Sequence, residues 1–264
     1  MITGLDHVAV AVRDFDAAVD GYRRLFAREP DLEPGQGARR AWFRFPNAAL
    51  EVIAADGEGV AGDRVRARLD EAGEGIWVLS FTVGDVAAAT RLLERRGLDV
   101  EAVAGVALVK AAGLSFTLRE ARDAPPSSAT GEGPVDALDH VVVYTANPDR
   151  ALALFGAKLD LDLRLDRANS QWGARQLFFR CGGAVVEVGA SLKTPVSDDP
   201  DRFGGLAWQV TDPDAARARM AAEGFDVSEV RTGRKPGTRV FTVRDAPGGV
   251  PTLMLQPTQQ AGVA

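Results

Sequence analysis

The sequence predicts an α+β protein made of four copies of one strand-helix-strand-strand-strand unit, arranged as two similar halves. Three observations lead there. The only two histidines sit in matching phrases, Leu5-Asp6-His7-Val8-Ala9-Val10 and Leu138-Asp139-His140-Val141-Val142-Val143, 133 residues apart. Each is followed by a glutamate in an apolar stretch, Ala49-Leu50-Glu51-Val52-Ile53 and Val185-Val186-Glu187-Val188-Gly189, and these recur at 136 residues. Gly97-Leu98-Asp99-Val100 is echoed by Gly224-Phe225-Asp226-Val227, so the whole first half is repeated in the second.

The elements follow in order. Each unit opens on an alternating or wholly apolar strand: Leu5 to Val12, Ile76 to Val83, Leu138 to Tyr144 and Leu206 to Val210. An acid or Asn then caps a helix, at Asp14 or Asp16, Asp85, Asn147 and Asp212. Pro148 and Pro213 take the first helical position, where proline costs least. Apolar residues recur at helical spacing, as in Val19, Tyr22, Leu25 and Phe26, or Val86, Ala89, Leu92 and Leu93. Gly97 and Gly224 suit left-handed helix ends. Further strands are expected at residues 40–45, 50–54, 114–118, 176–180, 185–189, 239–244 and 252–256. The Pro/Ser/Gly-rich stretch 122–135 reads as a linker between domains 1–121 and 136–258, and the tail 258–264 as frayed.

Composition narrows the function. The net charge of −6 argues against nucleic-acid binding, and no apolar run is long enough to span a membrane. The first residues lead straight into a strand without a basic region or cleavage site, so no signal peptide is expected. The single cysteine, Cys181, excludes an intramolecular disulfide, suits a cytoplasmic protein, and reads as a buried strand-end residue. No glycine-rich phosphate loop, nucleophile elbow, HExxH or CxxC is present.

Alternation along a strand puts His7 on a face with Leu5, Ala9 and Ala11, Glu51 with Ala49 and Ile53, and His140 with Val142 and Tyr144. A glutamate among valines is costly to bury without a partner, which points to a shared role for each His and Glu. Their chemistry is metal ligation or proton transfer.

Four such units, with Leu-Asp-His-Val opening the odd ones and a Glu in their closing strands, resemble the vicinal oxygen chelate superfamily of glyoxalases, epimerases, extradiol dioxygenases and bleomycin resistance proteins. The resemblance covers nearly the whole chain. It implies two glyoxalase-like domains of paired βαβββ modules whose curved sheets enclose clefts. It places His7 and His140 on the first-strand ligand position and Glu51 and Glu187 on the last-strand position. The even units depart from the pattern: Val78 and Gly205 fall where their first-strand ligands would be, and their closing strands carry no acid. Pairing of units 1–2 and 3–4 leaves one His and one Glu per cleft; a 1–3 arrangement would join all four.

The resemblance also implies a divalent metal (Zn, Ni, Mn, Fe or Co), a small oxygen-rich substrate, and lyase or isomerase chemistry with Glu187 or Glu51 as ligand or proton shuttle. Ring cleavage by oxygen fits less well, because extradiol dioxygenases resemble a pattern with a His in the fourth unit, where Gly205 stands. The alternative of another class is a non-catalytic small-molecule binding or sequestration protein, which the missing even-unit ligands favour. Arg175, Gln209, Lys235 and Arg239 are candidate substrate contacts, the cations because they could clamp an oxyanion in an acidic protein. Monomer and homodimer both remain open.

Overall fold

The computed structural model describes residues 1–103, 105–122, 125–130 and 133–258. The first half contains β1 (Ile2–Ala11), α1 (Phe15–Phe26), β2 (Asp31–Gly35), β3 (Ala38–Arg44), β4 (Ala49–Ala55), α2 (Val60–Ala72), β5 (Gly75–Val83), α3 (Val86–Arg95), β6 (Val100–Val103), β7 (Val106–Ala111) and β8 (Leu114–Arg119). The second contains β9 (Ala137–Thr145), α4 (Pro148–Leu152) continued by a π-helical stretch (Ala153–Lys158), β10 (Asp162–Asn169), β11 (Ala174–Cys181), β12 (Ala184–Ser191), β13 (Arg202–Gln209), α5 (Pro213–Ala222), β14 (Arg231–Thr232), β15 (Arg239–Val243) and β16 (Thr252–Gln256).

These strands form two eight-stranded mixed sheets, ordered β2-β3-β4-β1-β5-β8-β7-β6 and β10-β11-β12-β9-β13-β16-β15-β14. Within a unit the first and last strands pair in parallel. The two units of a sheet join through their antiparallel first strands, β1 with β5 and β9 with β13. Neighbouring units therefore share a sheet, and the 1–3 arrangement is not adopted.

Helix starts obey the capping rule: Asp14, Asp85, Asn147 and Asp212 each accept a backbone N–H of the first turn. Asp16 is not the cap; it lies within the first turn and pairs with Arg39. Gly97 and Gly224 have φ of 71° and 91°, the left-handed conformation expected after a helix.

One face of each sheet packs against the helices, and the two faces meet in one apolar core. Phe26 of α1 lies 4.6 Å from the Trp208 ring of β13, and Phe116 of β8 lies 5.9 Å from Phe155. The stretch between the sheets is held to the first half: Arg28 donates to the Ser127 and Val135 carbonyls, and Thr130 N–H donates to the Ala27 carbonyl.

The opposite faces differ. α2, which the sequence pattern did not predict, covers the first: Val65 and Leu69 pack with Ala11, Ala38 and Ile53. Its first N–H groups donate to the Gln36 carbonyl in the β2–β3 turn, and Arg64 reaches Glu101 on the far edge. The corresponding stretch of the second half, residues 192–201, holds no helix. There the sheet curls until Arg167 of β10 and Arg234, from the loop joining β14 to β15, both lie over the Trp172 ring, at 4.7 and 5.0 Å. No described helix is long and apolar enough to cross a membrane.

Candidate functional site

A β-bulge builds each site. Between β1 and β5 the register steps from Leu5↔Phe81 to His7↔Ser80, leaving Asp6 as the extra residue. Between β9 and β13 it steps from Leu138↔Trp208 to His140↔Ala207, leaving Asp139. A bulge re-aims side chains that strict alternation would separate, so Asp and His stand side by side on the face away from the core. Leu5, expected beside His7, instead lies in the core with Val8 and Val10, and Leu138 does the same.

In the second site Asp139 Oδ1 lies 2.7 Å from His140 Nδ1, and His140 Nε2 lies 3.3 Å from Glu187 Oε2. Gln176 Nε2 donates to Glu187 Oε1 at 2.6 Å, and Gln209 Nε2 to Asp139 Oδ2 at 2.8 Å. The first site repeats the relay, with Asp6 Oδ2 2.6 Å from His7 Nδ1 and His7 Nε2 3.3 Å from Glu51 Oε2. There, however, Arg40 stands where the second site has Gln176, its Nε 3.0 Å from Glu51 Oε1, and Arg119 Nε lies 3.8 Å from Asp6. Trp42 meets His7 edge-on at 5.0 Å. Glu51 is thus already neutralised by a guanidinium, whereas Glu187 has only a neutral amide and His140.

Burial works to lower the pKa of both imidazoles, but hydrogen bonds and charge from the flanking carboxylates outweigh it and raise both. Burial works to raise Asp139, and its bond to His140, helped by Gln209 and the charge of Lys235, holds it low instead. The second site is the more accessible: the His140 and Glu187 side chains are 14% and 16% exposed, against 7% and 9% for His7 and Glu51.

The four His and Glu candidates therefore lie as two separate pairs. Gln209 and Lys235 join the second site. Arg175 and Arg239 do not, because they share strand parity with the core residues Leu177, Phe179, Phe241 and Val243. They point to the helix side and bind Asp149 and Asp166, and Asp214, respectively. Sequence reasoning passed over Asp6, Asp139, Arg40 and Gln176. The Asp-His step was present in both opening phrases, but alternation alone places Asp on the wrong face.

The donor types of the second site suit a divalent ion. Asp139 fixes the His140 ring and leaves Nε2 directed at Glu187, the outer carboxylate arrangement that orients metal-ligating histidines. The number of donors is two, and among the described residues no group of three or more His, Cys, Asp or Glu could hold a metal. A bound ion there would depend on water and substrate oxygens for its other positions. The even-unit equivalents are Val78 and Thr117 in the first sheet and Gly205 and Leu253 in the second, none a strong ligand. The first site does not suit a cation, since Arg40 already occupies the Glu51 carboxylate.

Comparison with known proteins agrees with this architecture. The chain is 35% identical over 105 residues to an ethylmalonyl-CoA/methylmalonyl-CoA epimerase of Cereibacter sphaeroides, covering 38% of this chain and 75% of that protein. A triple mutant of 4-hydroxymandelate synthase from Streptomyces coelicolor superposes with a TM-score of 0.76 at 17% identity, over 99% of this chain and 94% of that one. A Mn(II)-bound glyoxalase from Novosphingobium aromaticivorans gives 0.69 at 18% identity, over 98% and 83%. At such identities the structural likeness is one of fold. The model of the glyoxalase/bleomycin resistance protein/dioxygenase superfamily matches twice, over residues 6–117 and 139–242, once in each half, and the chain belongs to that family.

Proposed function

We propose that the protein is an enzyme of this superfamily that moves a proton on a small oxygen-rich organic molecule, as an isomerase or lyase, at the Asp139–His140–Glu187 site of a second domain spanning 136–258. The observation that carries the reading is the relay itself. A carboxylate with one hydrogen-bonded oxygen faces an imidazole 3.3 Å away on the uncovered face of the second sheet, and a partly buried aspartate orients that imidazole. The likeness to an epimerase supports proton transfer next to a carbonyl.

In this reading His140 Nε2 and Glu187 would hold a divalent ion of the Zn, Ni, Mn, Fe or Co type. Such an ion supplies Lewis-acid stabilisation to an enolate-like charge on two neighbouring substrate oxygens. The chain's own groups do the rest. Gln176 holds Glu187 Oε1, so Oε2, the oxygen facing His140, serves as ligand or proton shuttle. Asp139 fixes the His140 ring, and Gln209 fixes Asp139. Glu187 takes a proton from carbon and returns it on the same or the opposite face. The first domain, with Glu51 bound by Arg40 and its sheet covered by α2, has a structural role.

The test is solvent deuterium incorporation. Methylmalonyl-CoA and ethylmalonyl-CoA are incubated with the protein in D2O, with and without added Mn2+ or Zn2+, and exchange is read by mass spectrometry. Exchange is expected with wild type. Glu187→Gln should lower it roughly 10²- to 10⁴-fold, the usual contribution of a positioned acid–base group, while Glu51→Gln should change it little. Exchange equal in wild type and Glu187→Gln would remove the catalytic role. The second reading, a non-catalytic binding or sequestration protein, is favoured by the absent even-unit ligands; tight ligand binding with no exchange on any substrate would establish it.

A further inference from the structure

The arginines of the second half divide by the face they occupy. On the helix side Arg150, Arg175, Arg217 and Arg239 each pair with a carboxylate, and Arg219 donates to backbone carbonyls. The face that carries His140 is different. Arg167 is the register partner of Gln176, Arg202 that of Tyr144, and Arg231 that of Val240, which in turn pairs with Leu255 beside Gln209. These three point to the uncovered face, and Arg234 and Lys235 lie at its rim. Among the described residues none of the five has a carboxylate within ion-pairing distance, although the chain is acidic overall. The first sheet shows a smaller excess: Arg40, Arg44 and Arg119 of the corresponding face are matched to Glu51, Asp31 and Asp6, and Arg122 lies over the Trp42 ring.

Like charges gathered without ion-paired acids repel one another and cost stability unless a ligand offsets them. Two aromatic rings stand among them, about two-fifths exposed. Arg202 lies 4.6 Å over the Tyr144 ring, and Arg167 and Arg234 share the Trp172 indole. Stacking on a ring fixes the guanidinium plane and leaves its N–H edge free for an oxyanion.

We infer that the second cleft binds an organic polyanion, with its oxyanion groups on Arg167, Arg202 and Arg234 and its apolar body on Tyr144 and Trp172, the reacting end reaching His140 and Glu187. The inference rests on the proton-transfer reading for that last contact only. The shared chemistry is a planar or tetrahedral oxyanion, carboxylate or phosphate.

Isothermal titration with phenyl phosphate, pyrophosphate and phthalate tests it, with benzyl alcohol as the neutral comparison. At least one anion should bind and benzyl alcohol should not; the ranking assigns the anion as phosphate or carboxylate. Arg167→Gln and Arg202→Gln should each weaken that anion roughly 10- to 100-fold, as expected for a lost charge-assisted hydrogen bond. Both variants should melt no lower than wild type, because each removes an uncompensated cation; a structural arginine would lower the melting temperature. Absence of anion binding, unchanged affinity in both variants, or loss of affinity only together with a fall in melting temperature overturns the inference. Glu187→Gln separates it from the catalytic reading. Retained anion binding in that variant, with no deuterium exchange in wild type, leaves the anion site standing and the reaction refuted. Normal binding by the arginine variants, with exchange abolished in Glu187→Gln, does the reverse.

Discussion

His140 stands between Asp139 and Glu187, and its raised pKa has a thermodynamic consequence. A histidine whose folded pKa exceeds its unfolded value of about 6.5 contributes stability that is complete below that value. The contribution is lost as pH rises through the folded pKa. Removing the ring by His140→Gln should therefore cost more near pH 6 than near pH 9, and melting curves across that range would show the gap closing. A constant gap would mean that the proton contributes nothing to folding. Cys181, at the end of β11, gives a second prediction at this scale. Burial pushes its thiol up to about 12, so almost no thiolate exists at pH 8. Iodoacetamide should leave it unmodified in the native protein and label it on unfolding. The two pairs themselves were legible, because His7, Glu51, His140 and Glu187 recur in register. Their orienting aspartates were not, since a bulge is decided by pairing with a neighbouring strand. The misassigned Arg175 and Arg239 were in principle readable: each alternates in step with buried Leu and Phe.

At the scale of elements, the strands opening each unit and their caps could be read because apolar runs and cap residues fall together. The edge strands β2, β6, β10 and β14 could not, being short or largely exposed and polar. α2 was hidden for another reason. It buries only Gly62, Val65 and Leu69, and it starts after Asp56-Gly57-Glu58-Gly59, which reads as a loop. Its attachment is close: a Cβ at Gly62 would lie 2.0 Å from the Gly37 carbonyl oxygen. Gly62→Ala should therefore push the helix start off the β2–β3 turn. The expected cost is about 1–3 kcal/mol, typical of overpacking, with protease cleavage appearing near residues 56–62. Unchanged melting and unchanged cleavage would show that the helix tolerates the displacement.

Across the whole molecule the two sheets share one core, and the faces carrying His7 and His140 turn away from it. Trp208 is fully buried against Phe26 and Phe45, from the other half of the chain, at 4.6 and 4.7 Å. Arg219 of α5 donates to the Arg24 and Leu25 carbonyls, and Tyr22 to the Pro247 carbonyl. Trp208→Ala should cost about 3–5 kcal/mol, the usual range for a large core truncation, and should destabilise both halves together. Differential scanning calorimetry of wild type should show one transition. Two separable transitions, with only the second shifted by Trp208→Ala, would mean that the halves fold independently. The repeat foretold two similar halves, but nothing local in the sequence marks Phe26, Phe45 and Trp208 as partners across them.

The histidine count has a practical side. With one imidazole in each relay and none elsewhere in the chain, a proton NMR spectrum holds a single ring system for each site. The two sites can thus be watched separately in the same tube, without labels or mutations. Titrated Mn2+ should broaden the His140 ring signals through its unpaired electrons while those of His7, beside the Arg40-bound Glu51, stay sharp. An anion entering the second cleft should shift one set and leave the other still.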